Sequence, residues 1–303
     1  MDAEKHAKVM NASAIIISVI GVASSGFTCL MNIFLLKKVG NQKKELVLFN
    51  FRFILDVMFG AMVTIYLTFV VVFAVFHEEL APLQNFFFYL GLPSSNLETA
   101  RSIISLAIAV ERVVAAYIPI YFYKYRPIFP TFIIFILSIC IGLNEDVFLF
   151  VFCEFSLQIR PNCAAFGCSI NACFLKFWTS YKAIMFALNI FFNMLLGLKL
   201  FVLNKFGNSE SKDLSRANCL ALINAGNVCL FEFFPNMFAI HFSSISFFSF
   251  QNIGPYIVVA KLLGCAIEAV LVSRTLIKKN GKLNSISSRS GAGVLEHRLL
   301  YLD

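Results

Sequence analysis

The side chains of this sequence best suited to chemistry are charged residues inside long apolar stretches. Nine of them are Asp56, Glu98, Arg101, Glu145, Asp146, Lys182, Glu232, Lys261 and Glu268. A charge inside a membrane costs about 2.5–3.5 kcal/mol on insertion scales, so each of these residues needs a partner or a function. Two interpretations stay open: the charges pair with one another and hold helices together, or they line a polar cavity that serves a ligand or a switch.

Spacing gives a first prediction about those charges. Glu98 and Arg101 are three residues apart, which places them on one helix face and makes them able to pair. Together with Lys182, Glu232 and Lys261, these two residues are our candidates for lining a ligand pocket, because all five are predicted to be buried charges.

Glu111-Arg112 ends the third apolar stretch, and Pro119 follows the arginine by seven residues. A charged pair in that position is expected at a membrane surface, held by its neighbours. The placement favours signal transduction over enzymatic chemistry. The alternative is a helix-end charge pair that only contacts lipid headgroups.

Enzymatic and metal-binding patterns are missing from the sequence. The four His are scattered, and HExxH, GxSxG and phosphate-loop motifs do not occur. Four Cys share one polar connection, at positions Cys153, Cys163, Cys168 and Cys173, and contain no CxxC pair. Two disulfides, in any of three connectivities, are therefore favoured over zinc. We predict no enzymatic activity, no metal and no cofactor.

Composition sets the class of protein that positions these residues. Of 303 residues, 59% are hydrophobic and only 14% are charged, which is typical of an integral membrane protein. Apolar stretches long enough to cross a bilayer predict an all-α bundle of seven transmembrane helices, at about 14–36, 47–76, 86–118, 131–152, 177–203, 218–241 and 254–276. Residues 1–276 then form the membrane domain, and 277–303 form a tail whose polar composition predicts disorder.

The distribution of Lys and Arg predicts the orientation. Seventeen of them flank the spans on one side and four on the other, which places the N-terminus outside and the tail in the cytoplasm. Asn11-Ala12-Ser13 is a glycosylation sequon in the outer N-terminal segment. The net charge of +8 is spread between spans, so anionic membrane lipid is the expected partner and nucleic acid is not.

Residues on four of the spans resemble the motifs of rhodopsin-like G-protein-coupled receptors. These residues are Asn32 on span one, Asp56 on span two, Glu111, Arg112, Ala115 and Pro119 on and after span three, and Pro235 on span six, with Phe233 where the family usually has Trp. The resemblance implies that Glu111, Arg112 and Pro119 serve G-protein coupling. It also implies that Asn32, Asp56, Phe233 and Pro235 form a polar hinge core.

Several short stretches of the sequence are similar to the nematode serpentine chemoreceptors, most closely class BC. The resemblance rests on residues 50–56, 88–96 and 109–113 and on the Cys-rich loop that ends at 166–174. It implies a chemosensory receptor that detects a small environmental ligand and signals through a heterotrimeric G protein. It also implies a plasma-membrane location, in the cilium of a sensory neuron.

Three features depart from the general receptor plan. Residues 85–91 contain no Cys at the outer end of span three, span seven lacks Asn-Pro-x-x-Tyr, and 214–216 offer no acidic partner for Arg112. We therefore expect Arg112 to be held by Glu111. The alternative function is a ligand-gated odorant channel or a membrane transporter, although neither inverted repeats nor broken helices are evident in the sequence.

Overall fold

The computed structural model describes residues 10–39, 47–126, 130–157, 163, 165–205, 212–241 and 254–275. Within these ranges the chain is helical and has no β-strand. Seven long helices, numbered here in chain order, are α1 (Ala12–Val39), α2 (Val47–Val75), α3 (Phe86–Tyr117), α4 (Thr131–Val147, continuing as a π-helix through Phe148–Phe152), α5 (Ala172–Lys205), α6 (Lys212–Asn227, a π-helix at Val228–Phe233, then Phe234–His241) and α7 (Tyr256–Thr275).

The seven helices cover the seven predicted spans, with the largest differences at two starts. Helix α5 begins at residue 172 and α6 at 212, against the expected 177 and 218. The added turn of α6 contains Lys212, Asp213 and Arg216, so a hydropathy criterion leaves it out, whereas residues 172–176 of α5 are largely apolar. The predicted tail, 277–303, lies outside the described residues.

Hydropathy alone identifies only part of the bundle. Helices α1, α2, α4, α5 and α7 are long and apolar enough to cross a membrane, whereas α3 and α6 are not among the helices that meet this criterion. Helix α3 carries four charged residues, and it packs against α2, α4, α5 and α6. Neighbouring helices therefore shield its polar side chains from lipid, which is why a less apolar helix can stand at the centre of the bundle.

Three apolar clusters fill the interior of the described helices. The first includes Phe73, Phe87 and Leu149, the second includes Leu35 and Ile104, and a small third one includes Leu196. Large apolar side chains also point outward, as a lipid environment requires of a membrane helix.

The connection between α4 and α5 covers one end of the bundle. Disulfides join Cys153 to Cys173 and Cys163 to Cys168, which selects one of the three possible connectivities. Within the connection, a short helix, Phe166–Ser169, packs the Phe166 ring where a Cβ at Gly91 of α3 would otherwise lie. The Phe166 amide donates to the Tyr66 hydroxyl at 3.0 Å, which ties the connection to α2.

Helix α6 changes its winding directly before Pro235. Proline has no N–H, and its ring clashes with the carbonyl four residues earlier, here that of Phe231. The π-helical turn Val228–Phe233 precedes that proline and holds the affected carbonyl. A π segment is a recognised cause of helix kinks, so α6 has a local irregularity beside Pro235, one of the residues expected in the hinge core.

Candidate functional site

Eight charged side chains from five helices form a buried ion network in the bundle. They are Arg52 and Asp56 of α2, Glu98 and Arg101 of α3, Lys182 of α5, Glu232 of α6, and Lys261 and Glu268 of α7. Four are cations and four are anions, so their formal charges cancel. Their side chains are at most 18% exposed, so each charge depends on the others for stabilisation.

Arg101 is the centre of the network. Its Nε contacts Asp56 Oδ1, its Nη1 lies 3.2 Å from Glu232 Oε1, and its Nη2 lies 3.7 Å from Glu268 Oε2. One guanidinium on α3 therefore binds carboxylates on three other helices. The planar fork of arginine suits this arrangement, because its donors point in several directions at once.

Arg52 closes the network on the side of α7. Its Nη2 lies 2.8 and 2.9 Å from the two oxygens of Glu268, and its Nε lies 3.6 Å from Asp56 Oδ2. Asn227 of α6 donates to Glu268 Oε2 at 2.7 Å. The Glu268 carboxylate thus receives donors from α2 and α6 in addition to the more distant Arg101.

Glu98 bridges two lysines. Its Oε2 lies 2.7 Å from Lys182 Nζ and its Oε1 lies 2.6 Å from Lys261 Nζ, which links α3 to α5 and α7. Lys261 also lies 3.5 Å from Glu232, so this part of the network is continuous with that around Arg101. The Lys182 ammonium lies 3.6 Å from the centre of the Trp178 ring, a cation–π contact.

Glu98 and Arg101 bind other partners than the ion pair that their spacing allows. Both residues lie on α3 as expected, but Glu98 binds the two lysines while Arg101 binds Asp56, Glu232 and Glu268. Neighbouring helices place lysines directly against Glu98 and carboxylates directly against Arg101. Those partners replace the weaker pairing along a single helix.

All five pocket candidates are therefore bound to one another in this structure. A cavity beside the network, lined in part by Arg52, Arg101, Asn224 and Glu232, has room for about one water molecule. Sites for drug-sized ligands are usually about 300–1,000 Å³. In this conformation the charges act as structural links between helices.

Two further acids connect α4 to α3 through neutral donors. Glu145 is 2% exposed and accepts hydrogen bonds from Ser95, at 2.7 Å, and from Thr99. The indole of Trp178 donates in turn to the Ser95 hydroxyl at 2.7 Å. Asp146 accepts from Asn96 at 2.9 Å. These acids lie next to the network without being part of its ion pairs.

The expected polar hinge core is only partly assembled. Asn32 is buried, but its amide donates to the Thr28 carbonyl of its own helix at 2.9 Å. Asp56 is bound by Arg52 and Arg101, so among the described residues it has no hydrogen bond with Asn32. Asn32 and Asp56 therefore have separate partners, because two arginines supply Asp56 with charged donors, and the hinge role of these residues stays a prediction. Phe233 is half-buried within the π segment of α6.

The second charged group, called here the inner cluster, consists of Glu111, Arg112 and Arg126. Arg112 is 3% exposed, and its Nη2 lies 3.2 Å from Glu111 Oε1. The same oxygen lies 2.6 Å from Arg126 Nε, and Arg126 Nη1 donates to Thr131 Oγ1 at 3.0 Å. One carboxylate therefore holds two guanidinium groups.

Pro119 explains how Arg126 reaches Glu111. Helix α3 ends at Tyr117, and Ile118 has φ −132° and ψ 60°, which leaves the helical conformation. Pro119 then begins a short helix, Pro119–Tyr125, in the first-turn position that proline favours. This helix turns the chain back, so that Arg126 meets Glu111 from fifteen residues away.

Comparison with protein families identifies the plan. Residues 10–280 match the family model described as Serpentine type 7TM GPCR chemoreceptor Srbc. The chain belongs to the Srbc family. This Srbc protein is therefore a multi-pass membrane chemoreceptor of the GPCR type, and its family is not an enzyme family. A search of curated proteins finds no match.

Two participants of the Srbc receptor's charged groups were missed by sequence reasoning. Arg52 belongs to the buried network, and Arg126 belongs to the inner cluster. Arg52 carried a usable signal, since an arginine four residues before Asp56 in an apolar span suggests an i,i+4 pair. Arg126 carried none, because its contact depends on the path of the loop.

Metal binding receives no support from the described part of the Srbc chain. None of its His, Cys, Asp and Glu residues form a group of three or more that could hold an ion. The acids that lie close together are already bound by arginine, lysine, hydroxyl or amide donors.

Proposed function

We propose that this receptor binds a small environmental molecule near the end of the bundle that carries the disulfide-bonded connection. Binding then activates a heterotrimeric G protein at the opposite end. The observation that carries the proposal is Arg112, a guanidinium only 3% exposed at the end of α3 and held by a carboxylate that a second arginine shares. A buried charge with a shared partner is suited to change partners when helices move.

The proposal includes an orientation and a location. The N-terminus and the disulfide-bonded connection face outward, and the inner cluster faces the cytoplasm. The excess of Lys and Arg beside the inner cluster supports this orientation, and oxidised cysteines suit the outer side. We place the receptor in the plasma membrane, in the cilium of a sensory neuron.

A ligand would act on the part of the ion network that lies nearest the disulfide-bonded connection. Glu98, Lys182 and Lys261 lie towards the disulfide-bonded end, within reach of a molecule that enters between α3, α5 and α7. Arg101 and Glu232 connect that group to α2 and α6. A ligand that exchanges for one partner would redistribute ion pairs among five helices, which shifts the balance between two packings.

Helix α6 supplies the movable element of the proposal. Its π turn and Pro235 interrupt the regular winding close to Glu232. The Glu232 carboxylate forms an ion pair with Arg101 and accepts a hydrogen bond from it. A change at Glu232 would alter the bend of α6 and separate its inner half from α3. Arg112 would then leave Glu111 and contact the G protein.

The test is a G-protein reporter assay in cells that express the receptor, with a broad panel of small molecules. Once an agonist is found, we expect Arg112→Ala to lower the maximal response at least about ten-fold, while the amount of receptor at the cell surface stays unchanged. Lys124→Ala is the matched control, because Lys124 is an exposed cation on the same side of the protein. A full response from Arg112→Ala would refute the switch role.

Glycosylation tests the orientation separately. Asn11 is exposed immediately before α1 and is the first residue of the sequon. If the N-terminus faces outward, glycosidase treatment should increase the electrophoretic mobility of the wild-type receptor and leave Asn11→Gln unchanged. Identical mobility of both proteins with and without glycosidase would remove this support for the orientation.

A further inference from the structure

Helix α4 has an outward face that follows a coiled-coil spacing. Five exposed residues, called here the seam, are separated by four, three, four and three positions: Ile133, Leu137, Cys140, Asn144 and Val147. The exposed fractions of the three aliphatic residues are 59% for Ile133, 54% for Leu137 and 47% for Val147. Alternating steps of four and three residues are the signature of a helix that packs lengthwise against another helix.

The opposite face of α4 already packs inside the bundle. Ser138, Gly142 and Glu145 are buried there. A Cβ at Gly142 would collide with the carbonyl oxygen of Asn96, so α3 and α4 are in close backbone contact. Among the described helices, α4 packs against α3 and α2 on this side, which leaves the outward seam facing lipid.

Asn144 makes that seam more than an ordinary lipid-facing surface. It lies thirteen residues into a 22-residue apolar span, about 12 Å from the nearer end of the helix. Its side chain is exposed, and the side-chain amide forms no hydrogen bond with any described residue. Other asparagines of this bundle, such as Asn32, donate to the carbonyl four residues earlier in their own helix, but Asn144 does not. Hydrocarbon offers no hydrogen-bond partners, so the Asn144 amide is left for a partner on another protein helix.

We propose that a second copy of this receptor covers the seam, and that the two chains form a dimer through α4 with Asn144 paired to Asn144. A carboxamide has both a donor and an acceptor, so it is complementary to itself. In a two-fold dimer whose axis is parallel to the membrane normal, each residue meets its own copy at the same depth. A single polar Asn within an apolar seam also fixes the register between the two helices.

Cys140 provides a built-in reporter of this contact. It is a free, exposed cysteine one turn before Asn144 on the same seam. In the proposed dimer the two Cys140 thiols face each other near the axis. Mild oxidation of membranes that contain the full-length receptor should therefore produce a disulfide-linked dimer on non-reducing gels.

The controls compare the cysteine on the seam with cysteines that lie elsewhere on the protein. Cys140→Ala should abolish the cross-link, whereas Cys219→Ala, which removes an exposed cysteine of α6, should leave it intact. In the Cys140→Ala background, a cysteine at Ile139 should not cross-link, because Ile139 is half-buried and lies off the seam. Cross-linking that persists in Cys140→Ala and disappears in Cys219→Ala would overturn the proposed interface.

The role of Asn144 is tested by resonance energy transfer between tagged receptors. We expect Asn144→Leu to weaken dimerisation roughly five- to thirty-fold, the range of one inter-helix amide hydrogen bond in a membrane, while Asn144→Gln keeps most of it. Leucine in a lipid-exposed position should not disturb the fold, and the agonist response of the monomer provides that check. Unchanged dimerisation in Asn144→Leu would refute the assignment.

Discussion

The buried ion network and the inner cluster accommodate charge inside a membrane protein in different ways. In the network, Arg52 and Glu268 are 216 residues apart in sequence, and Arg101 binds carboxylates on three other helices. In the inner cluster, Glu111 binds its sequence neighbour and a residue fifteen positions away. The network is thus a property of the assembled bundle, while the inner cluster belongs to one helix end and one loop.

This difference has energetic consequences. Removing one partner from a fully buried pair leaves an unpaired charge, which is costly in stability. In the inner cluster, Glu111 has two guanidinium partners and Arg126 is 23% exposed, so the loss of Arg126 leaves Glu111 paired with Arg112 and costs little. We therefore expect mutations in the network to affect folding first, and mutations in the inner cluster to affect signalling first.

The largest effect is expected for Arg101→Ala. The change leaves Asp56, Glu232 and Glu268 without their shared guanidinium, and we expect a loss of about 3–5 kcal/mol in the free energy of unfolding. Thermal unfolding of the purified receptor in detergent measures it, with surface expression as a second readout. Lys124→Ala is the control, and equal melting temperatures for the two variants would contradict a structural role for the network.

A smaller effect is expected for Glu98→Gln. Lys182 loses its carboxylate but is 16% exposed, and Lys261 keeps Glu232 at 3.5 Å, so the loss should be about 1–3 kcal/mol. The double variant Glu98→Gln with Lys182→Met should recover part of that loss, because it removes the unpaired charge as well. Additive losses in this double-mutant cycle would show that the two residues are not coupled.

The smallest stability effect is expected for Arg126→Ala. Arg126 is 23% exposed, so we expect a change below about 1 kcal/mol in the free energy of unfolding. Signalling should respond more clearly, since Glu111 would then hold Arg112 alone and agonist potency should fall a few-fold. Dose–response curves against Lys124→Ala provide the measurement. An unchanged potency would mean that Arg126 serves only to fix the loop.

Local pattern predicted what depends on local physics. Length and apolarity indicated seven helices, and the charged α3 was recognised because it is still apolar over most of its length. The same local reasoning failed for Glu98 and Arg101. Residues three apart on one helix can pair, but α5 and α7 bring lysines to Glu98, and α2, α6 and α7 bring acids to Arg101. Helix periodicity carries no information about those neighbours.

The motif residues show the same division. Pro119 was predicted after the end of α3, and it starts the short helix that follows, because its fixed φ and missing N–H suit a first helical turn. Asn32 and Asp56 were expected to share a core, yet Asn32 bonds within α1 while Asp56 binds two arginines. The family motifs placed these residues on the correct helices. They did not indicate that two arginines would be the partners of Asp56.

By itself, the sequence determined the membrane class, the seven helices, the pairing of four clustered cysteines among themselves and the burial of charges that need partners. These follow from hydropathy, helix period and composition, which are properties of short segments. Only the tertiary structure decided which cysteines join, which charge neutralises which, and that Glu111 serves Arg126 as well as Arg112. The physical reason is that a buried charge selects the nearest opposite charge in space, and helix packing, rather than distance along the chain, sets that neighbour.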